Sequence, residues 1–218
     1  MPDVSNAALA FIRAAYGALL LGSLIQALPH WRRFFLSERW GGYAASSPAV
    51  DAVQNPLMMP AALAAWLGAA GCLAAGRWSL AAALVNAALC YYFFIFMRWR
   101  GLLRGMGAPG FMLWWLGAAV LLLEWAQTRS PALASLALLA VQADFAIIMI
   151  TAGIAKLLGG YARGHGMELG LANPMWGYWW RRYGRLAPSH RLFWGMNHLG
   201  WSVEMAAGVL MLIPATRV

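Results

Sequence analysis

Apolar residues in this chain come in unbroken blocks of helix length, without the one-sided alternation that marks a strand or helix lying against water on one face. The blocks run from Ala8 to Pro29, Leu57 to Gly76, Ser79 to Met97, Phe111 to Ala126, Pro131 to Leu158 and Leu192 to Pro214. A helix that is apolar all round belongs in hydrocarbon or in the core of a large protein, and a bilayer crossing takes about 20 residues. The pattern predicts an all-α, polytopic transmembrane helical bundle of about six spans, in a single domain that covers the chain. The fourth block is short and is expected to need interfacial tryptophans or local thinning, whereas the fifth is long enough to tilt. Gly76, Arg77 and Trp78 read as the tight connection between the second and third spans.

From Gly159 to Arg191 the pattern changes. Trp176, Tyr178, Trp179 and Trp180 stand next to Arg181, Arg182 and Arg185, a membrane-interface composition, and Pro174 in LANPMWGYWW is expected to break any helix there. This stretch is predicted to be an interfacial segment.

Composition sharpens the class. Of 218 residues, 62% are hydrophobic and only 11% charged, against about 25% charged in soluble domains. The start, MPDVSNA, has no basic n-region and the first block no cleavage pattern, so that block is expected to stay in the membrane. Cys72 and Cys90 fall inside apolar blocks and read as small apolar residues, with no indication of a disulfide framework or a metal site. The net charge of +9 comes from basic residues in short connections, which points to anionic lipid headgroups and away from nucleic acid. Eleven arginines lie in the first, third and fifth connections, and only Arg77, Arg129 and Arg217 on the other side. The positive-inside rule then places both termini outside the cytoplasm. The expected location is a bacterial cytoplasmic membrane, as a multi-pass protein.

Candidate chemistry follows from groups that do not belong in a bilayer. Ionisable residues inside spans cost about 2.5–3.5 kcal/mol each on insertion scales, so each is a functional candidate. Arg13, Glu124, Asp144, Lys156 and Glu204 qualify, with His198 as a further polar group. Arg13 can snorkel or pair inwards, Glu124 sits near a span end and reads as interfacial, and Asp144 is expected to pair structurally with an arginine such as Arg13. Lys156 is the only lysine beside fifteen arginines, and Ala152, Gly153 and Ala155 before it admit a close neighbour. A desolvated lysine amine can act as a base, which an arginine cannot; snorkelling is the competing account. Asn197 and Glu204 lie two helical turns apart on one face, with Gly200 and Gly208 nearby, so this stripe is expected to face protein. His198, taken alone, also suits a hydrogen-bonded core position.

Three stretches resemble the vitamin K-dependent gamma-carboxylase-like, or HTTM, transmembrane family. ITAGIAKLLGGYARGHGMELGLANPMWGYWW is similar to its Ala-Gly-x-x-Lys-Leu helix end, glycine-containing loop and aromatic stretch. FIRAAYG, with Arg13 and Gly17, resembles its opening Phe-Arg-x-x-x-Gly, and NHLGWSVEMAAGVLML its late His-x-Gly-x-x-x-acid-x-x-x-Gly helix. The resemblance implies a quinone or vitamin K-like molecule as cofactor and Lys156 as the base that deprotonates a hydroquinone, with His198 and Glu204 beside it in the core. MRWRGLLRGMGAPG, Met97 to Gly110, departs from relatives with carboxylase activity, which carry an Asn-His element there. The carboxylase's large extramembrane domain has no counterpart, so peptide carboxylation is not expected of this chain without a partner. In the carboxylase the connection after the lysine helix faces the lumen, opposite to the arginine count.

Two functional expectations result. In the first, an intramembrane polar pocket binds or acts on a quinone or other lipid-like molecule, with Lys156, His198 and Glu204 as the reacting groups and Arg13 and Asn197 as holding groups. In the second, the chain is a non-catalytic accessory subunit that packs its Trp-rich and Gly-rich surfaces against other membrane protein subunits.

Overall fold

A computed structural model describes residues 5–97, 107–168 and 180–213. The described residues are helical, with no strand among them beyond one isolated bridge, Ser37 to Ala44. The long helices are α1 (Asn6–Ala27), α4 (Met58–Ala74), α5 (Ser79–Cys90), α6 (Gly107–Gln127), α7 (Pro131–Leu158) and α9 (Arg191–Leu212). Three short helices, α2 (Trp31–Phe35), α3 (Pro48–Val53) and α8 (Trp180–Tyr183), lie in the connections. Each predicted block is thus a helix. Four helical stretches are long and apolar enough to cross a membrane: Asn6–Phe35, Ser79–Phe96, Gly110–Gln127 and Pro131–Leu158. Met58–Ala74 is apolar but shorter, at 17 residues, and α9 carries Asn197, His198 and Glu204. The fourth block is not short after all, because α6 begins at Gly107, ahead of Phe111, and spans 21 residues. Pro174 and most of the aromatic stretch expected at the interface lie outside the described residues, as does the Arg98–Arg104 part of the third connection.

The chain divides into two compact units, Pro2–Ala137 and Leu138–Val218. In the N-terminal unit α1, α4, α5 and α6 pack side by side. The buried positions of α4, Met59, Leu63, Trp66, Ala70 and Leu73, repeat at steps of three and four and form one seam. Tyr16, Leu20 and Leu24 of α1 do the same. Small residues set the helix spacing: a Cβ on Gly17 would lie 2.5 Å from Ala74 N, and one on Gly117 would lie 2.5 Å from the Tyr16 hydroxyl. Opposite faces stay apolar and exposed, with Leu84 59% and Leu19 53% accessible. Lipid tails are as apolar as leucine, so small-residue contact and not greater apolarity marks the inside of such a bundle.

The α4–α5 connection is as expected. Arg77 N donates to Cys72 O at 2.8 Å and Gly76 N to Leu73 O at 3.1 Å, with Gly76 at φ 69°, the paired bonds of a Schellman helix end that needs a left-handed residue. A turn of π-helix, Tyr91–Phe96, extends α5 and brings Phe93 onto Trp66, with ring centroids 5.2 Å apart.

In the C-terminal unit α7 and α9 run antiparallel. Going up α7, Ala146 and Ile150 meet Gly208, Gly153 meets Met205, and Lys156 meets Glu204 and Gly200. A Cβ on Gly208 would lie 2.6 Å from Ile150 Cγ1 and 3.0 Å from Ala146 O, so glycine lets the backbones approach here.

Candidate functional site

Lys156 sits in the last turns of α7, and Gly160, at φ 92°, reverses the chain just beyond that helix end. Its Nζ donates to Glu204 Oε1 of α9 in an ion pair. The side chains keep 26% and 20% of their accessible surface, so the pair is largely but not wholly enclosed. Each charge offsets the other's cost of leaving water, which neither would bear alone in an apolar medium. The Tyr161 ring lies 5.7 Å from Nζ, within reach of a cation–π contact. A Cβ on Gly200 would stand 3.7 Å from Nζ, so glycine there leaves a notch beside the amine. The second carboxylate oxygen, Glu204 Oε2, is buried and has no hydrogen-bond partner among the described residues.

Around this pair the chain from Gly160 to Glu168 forms a tight loop stapled to α9. Asn197, fully buried, donates from Nδ2 to Gly164 O at 2.7 Å and to Glu168 Oε2 at 3.4 Å, and accepts from Met167 N at 2.9 Å through Oδ1. Three of the amide's four hydrogen-bonding positions are thus engaged by the loop. Glu168 also accepts from Gly166 N at 2.8 Å, and His165 Nδ1 lies 3.4 Å from its Oε1. Burial pushes the Glu168 carboxyl up, but hydrogen bonds from backbone N–H groups of Glu168 and Gly166, from Asn197 and from His165 outweigh it and hold the group below the usual carboxylate range. Gly166 is packed under the Tyr161 ring at φ 134°, where no side chain fits.

His198 is placed differently from its neighbours in sequence. One residue along a helix turns the side chain by about 100°, and His198 leaves the Asn197–Gly200–Glu204 face for a stripe with Trp194 and Trp201. Its Nδ1 accepts from Trp201 Nε1 at 3.3 Å, and its ring lies 4.3 Å from that of Trp194.

Arg13 belongs to the N-terminal unit. It donates from NH1 to Glu124 Oε1 at 3.1 Å, beside the Gly76 turn, where a Cβ would meet its guanidinium at 3.3 Å. The carboxylate that Arg13 meets is Glu124. Glu124, expected at the interface, is 7% exposed, because the start of α1 and the end of α6 lie together, with Gln127 Nε2 donating to Asn6 Oδ1 at 2.8 Å. Of the sequence candidates, Lys156 and Glu204 come together, Asn197 holds the loop beside them, His198 packs among tryptophans, and Arg13 is half of a separate ion pair. Glu168, which no sequence motif marked, completes the loop.

No family model, curated protein or solved structure matches the chain.

Proposed function

We propose that this chain is a multi-pass integral membrane protein of six spans, in which the Lys156–Glu204 pair is the polar head site for a quinone or similarly lipid-like molecule. Two spans need argument beyond the four helices of sufficient length and apolarity. α4, with 17 residues, rises about 25 Å at 1.5 Å per residue, within the range of short crossings. α9 has 22 residues, and the groups that lower its apolarity, Asn197, His198 and Glu204, all have partners inside the protein. Partnered polar groups are those a bilayer tolerates.

The observation that carries the head site is the incomplete hydrogen bonding of the pair. Lys156 Nζ has three N–H donors, and Glu204 Oε2 is a shielded acceptor without a described partner. An unsatisfied buried carboxylate oxygen is costly, so a molecule donating to it is favoured. A hydroquinone hydroxyl can donate to Oε2, and a quinone carbonyl can accept from Nζ. The HTTM-like residues around Lys156 support the same class of molecule.

Quenching of tryptophan fluorescence by a short-tailed ubiquinone or menaquinone analogue, with the protein in nanodiscs, tests the proposal. Saturable binding in the wild type and at least tenfold weaker binding in Lys156→Met and Glu204→Gln are expected. If Lys156 only anchors the head, Lys156→Arg retains binding and any turnover; if it is a base, binding remains and turnover is lost. Binding unchanged in Lys156→Met and Lys156→Arg removes the amine from the site. Absence of quinone binding, together with co-migration of the native protein with other chains well above 23.7 kDa in mild detergent, favours the accessory-subunit reading.

A further inference from the structure

The first connection is more than a tether between spans. From Trp31 to Tyr43 it folds back on itself: Tyr43 N donates to Arg33 O at 3.0 Å, Glu38 N to Ala44 O at 2.8 Å and Gly42 N to Ser37 O at 2.9 Å. Gly42 packs against the Leu36 carbonyl with no room for a Cβ, and Ser37 N is tied to Gln54 O at 3.0 Å. Phe35 and Leu36 are buried, so the segment is anchored through its apolar side.

Its other side presents cations on aromatic supports. Arg32, Arg33 and Arg39 are exposed, and each guanidinium lies over a ring: Arg32 5.6 Å from Trp31, Arg33 5.7 Å from Tyr43 and Arg39 5.3 Å from Trp40. Trp40 and Tyr43 are themselves 43% and 42% exposed. Only Arg39 comes near a carboxylate, Asp51 at 4.0 Å; among the described residues Arg32 and Arg33 have none. The nearby Ser37 hydroxyl and then a hydrogen bond from Ser46 Oγ at 2.7 Å hold the Asp51 carboxyl below the usual range, so Asp51 stays an anion committed to its own turn.

All of this stands where the apolar helical stretch Asn6–Phe35 ends, the level at which aromatic side chains and arginines meet headgroups. An arginine over a ring still has N–H groups with which to make two hydrogen bonds to a phosphate. We infer that Arg32, Arg33 and Arg39, on their Trp31, Tyr43 and Trp40 supports, form a binding site for anionic phospholipid headgroups. The charge complement is a phosphodiester at the surface of an anionic leaflet. The site is independent of the Lys156–Glu204 pair.

Native mass spectrometry of the full chain in detergent, titrated with phosphatidylglycerol or phosphatidylcholine of the same acyl composition, tests the inference. Each arginine near an anionic surface contributes about fivefold in affinity. The wild type is expected to prefer phosphatidylglycerol, and the triple variant Arg32→Gln/Arg33→Gln/Arg39→Gln to lose at least tenfold of that preference. The corresponding triple lysine variant, which keeps the charges without the two-bond fork, retains a preference between those of the wild type and the glutamine variant, which separates loss of charge from loss of fold. Arg129→Gln, an exposed arginine over Trp125 in another connection, leaves it unchanged. Equal binding of both lipids by the wild type, a preference that survives the glutamine variant, or one lost equally in Arg129→Gln overturns the inference.

Discussion

Lys156 of α7 and Glu204 of α9 form an ion pair whose amine faces the side-chain-free surface of Gly200. Two charges that partition into apolar surroundings as a neutral pair are interdependent, since removing one leaves the other uncompensated. Lys156→Met or Glu204→Leu alone is therefore expected to destabilise the protein by about 2 kcal/mol or more, and the double variant by less than the sum of the two. A double-mutant cycle on thermal unfolding in detergent measures the coupling. Additive losses would show that the pair is fortuitous.

Asn197 acts on the loop and not on the pair directly. Its amide binds Gly164, Met167 and Glu168 from a buried position, so Asn197→Ala leaves Gly164 O and Met167 N without their side-chain partner, at a cost of about 1–3 kcal/mol. The loss is expected to be local first. Hydrogen exchange should rise at Gly164 to Met167 while the middle of α7 stays protected. Uniform loss of protection would place Asn197 in the global core instead.

The same loop has an acid-sensitive member. Glu168 is held below the usual carboxylate range in the folded protein, so the folded state binds fewer protons than the unfolded state as the pH passes below the ordinary glutamate value of about 4.3. Its stabilising contribution is complete above that value and declines as pH falls through the lower, folded one. Thermal midpoints taken between about pH 6 and pH 3 should fall less steeply in Glu168→Gln than in the wild type. Parallel slopes would mean that the carboxylate is not coupled to folding.

Helix placement was legible in the sequence because apolar blocks of span length have few alternatives, and each became a helix within a few residues of its expected bounds. Gly153, three residues before Lys156, was readable as a close crossing for a similar reason, since glycine weakens a helix and is kept where a neighbour comes close, here Met205. Pairings across long separations were not. Arg13 and Glu124 are 111 positions apart, and nothing in the periodicity of either block says that the start of α1 lies by the end of α6. His198 is one helical position from Asn197, which suffices to move its side chain off the Asn197–Glu204 face and onto Trp194 and Trp201. The fold of the Trp31–Tyr43 connection was invisible because backbone hydrogen bonds and a glycine against a carbonyl build it, and these leave little trace in composition.

Gly17 and Gly22 lie on the same helix and should respond oppositely to alanine. At Gly17 a Cβ would fall 2.5 Å from Ala74 N and 2.8 Å from Ala70 O, both backbone atoms of or next to an α4 turn, which cannot rotate away as a side chain could. α1 and α4 would have to separate, and overpacking of this kind costs about 1–3 kcal/mol. At Gly22 nothing lies within 4 Å of the added atom, and alanine is the better helix former by about 0.8–1.0 kcal/mol in water, so Gly22→Ala should be neutral or mildly stabilising. Thermal unfolding of the two variants under one detergent condition compares them directly. Equal midpoints would mean that the α1–α4 crossing at Gly17 is looser than its geometry implies, and that α1 is held mainly by its Tyr16, Leu20 and Leu24 contacts.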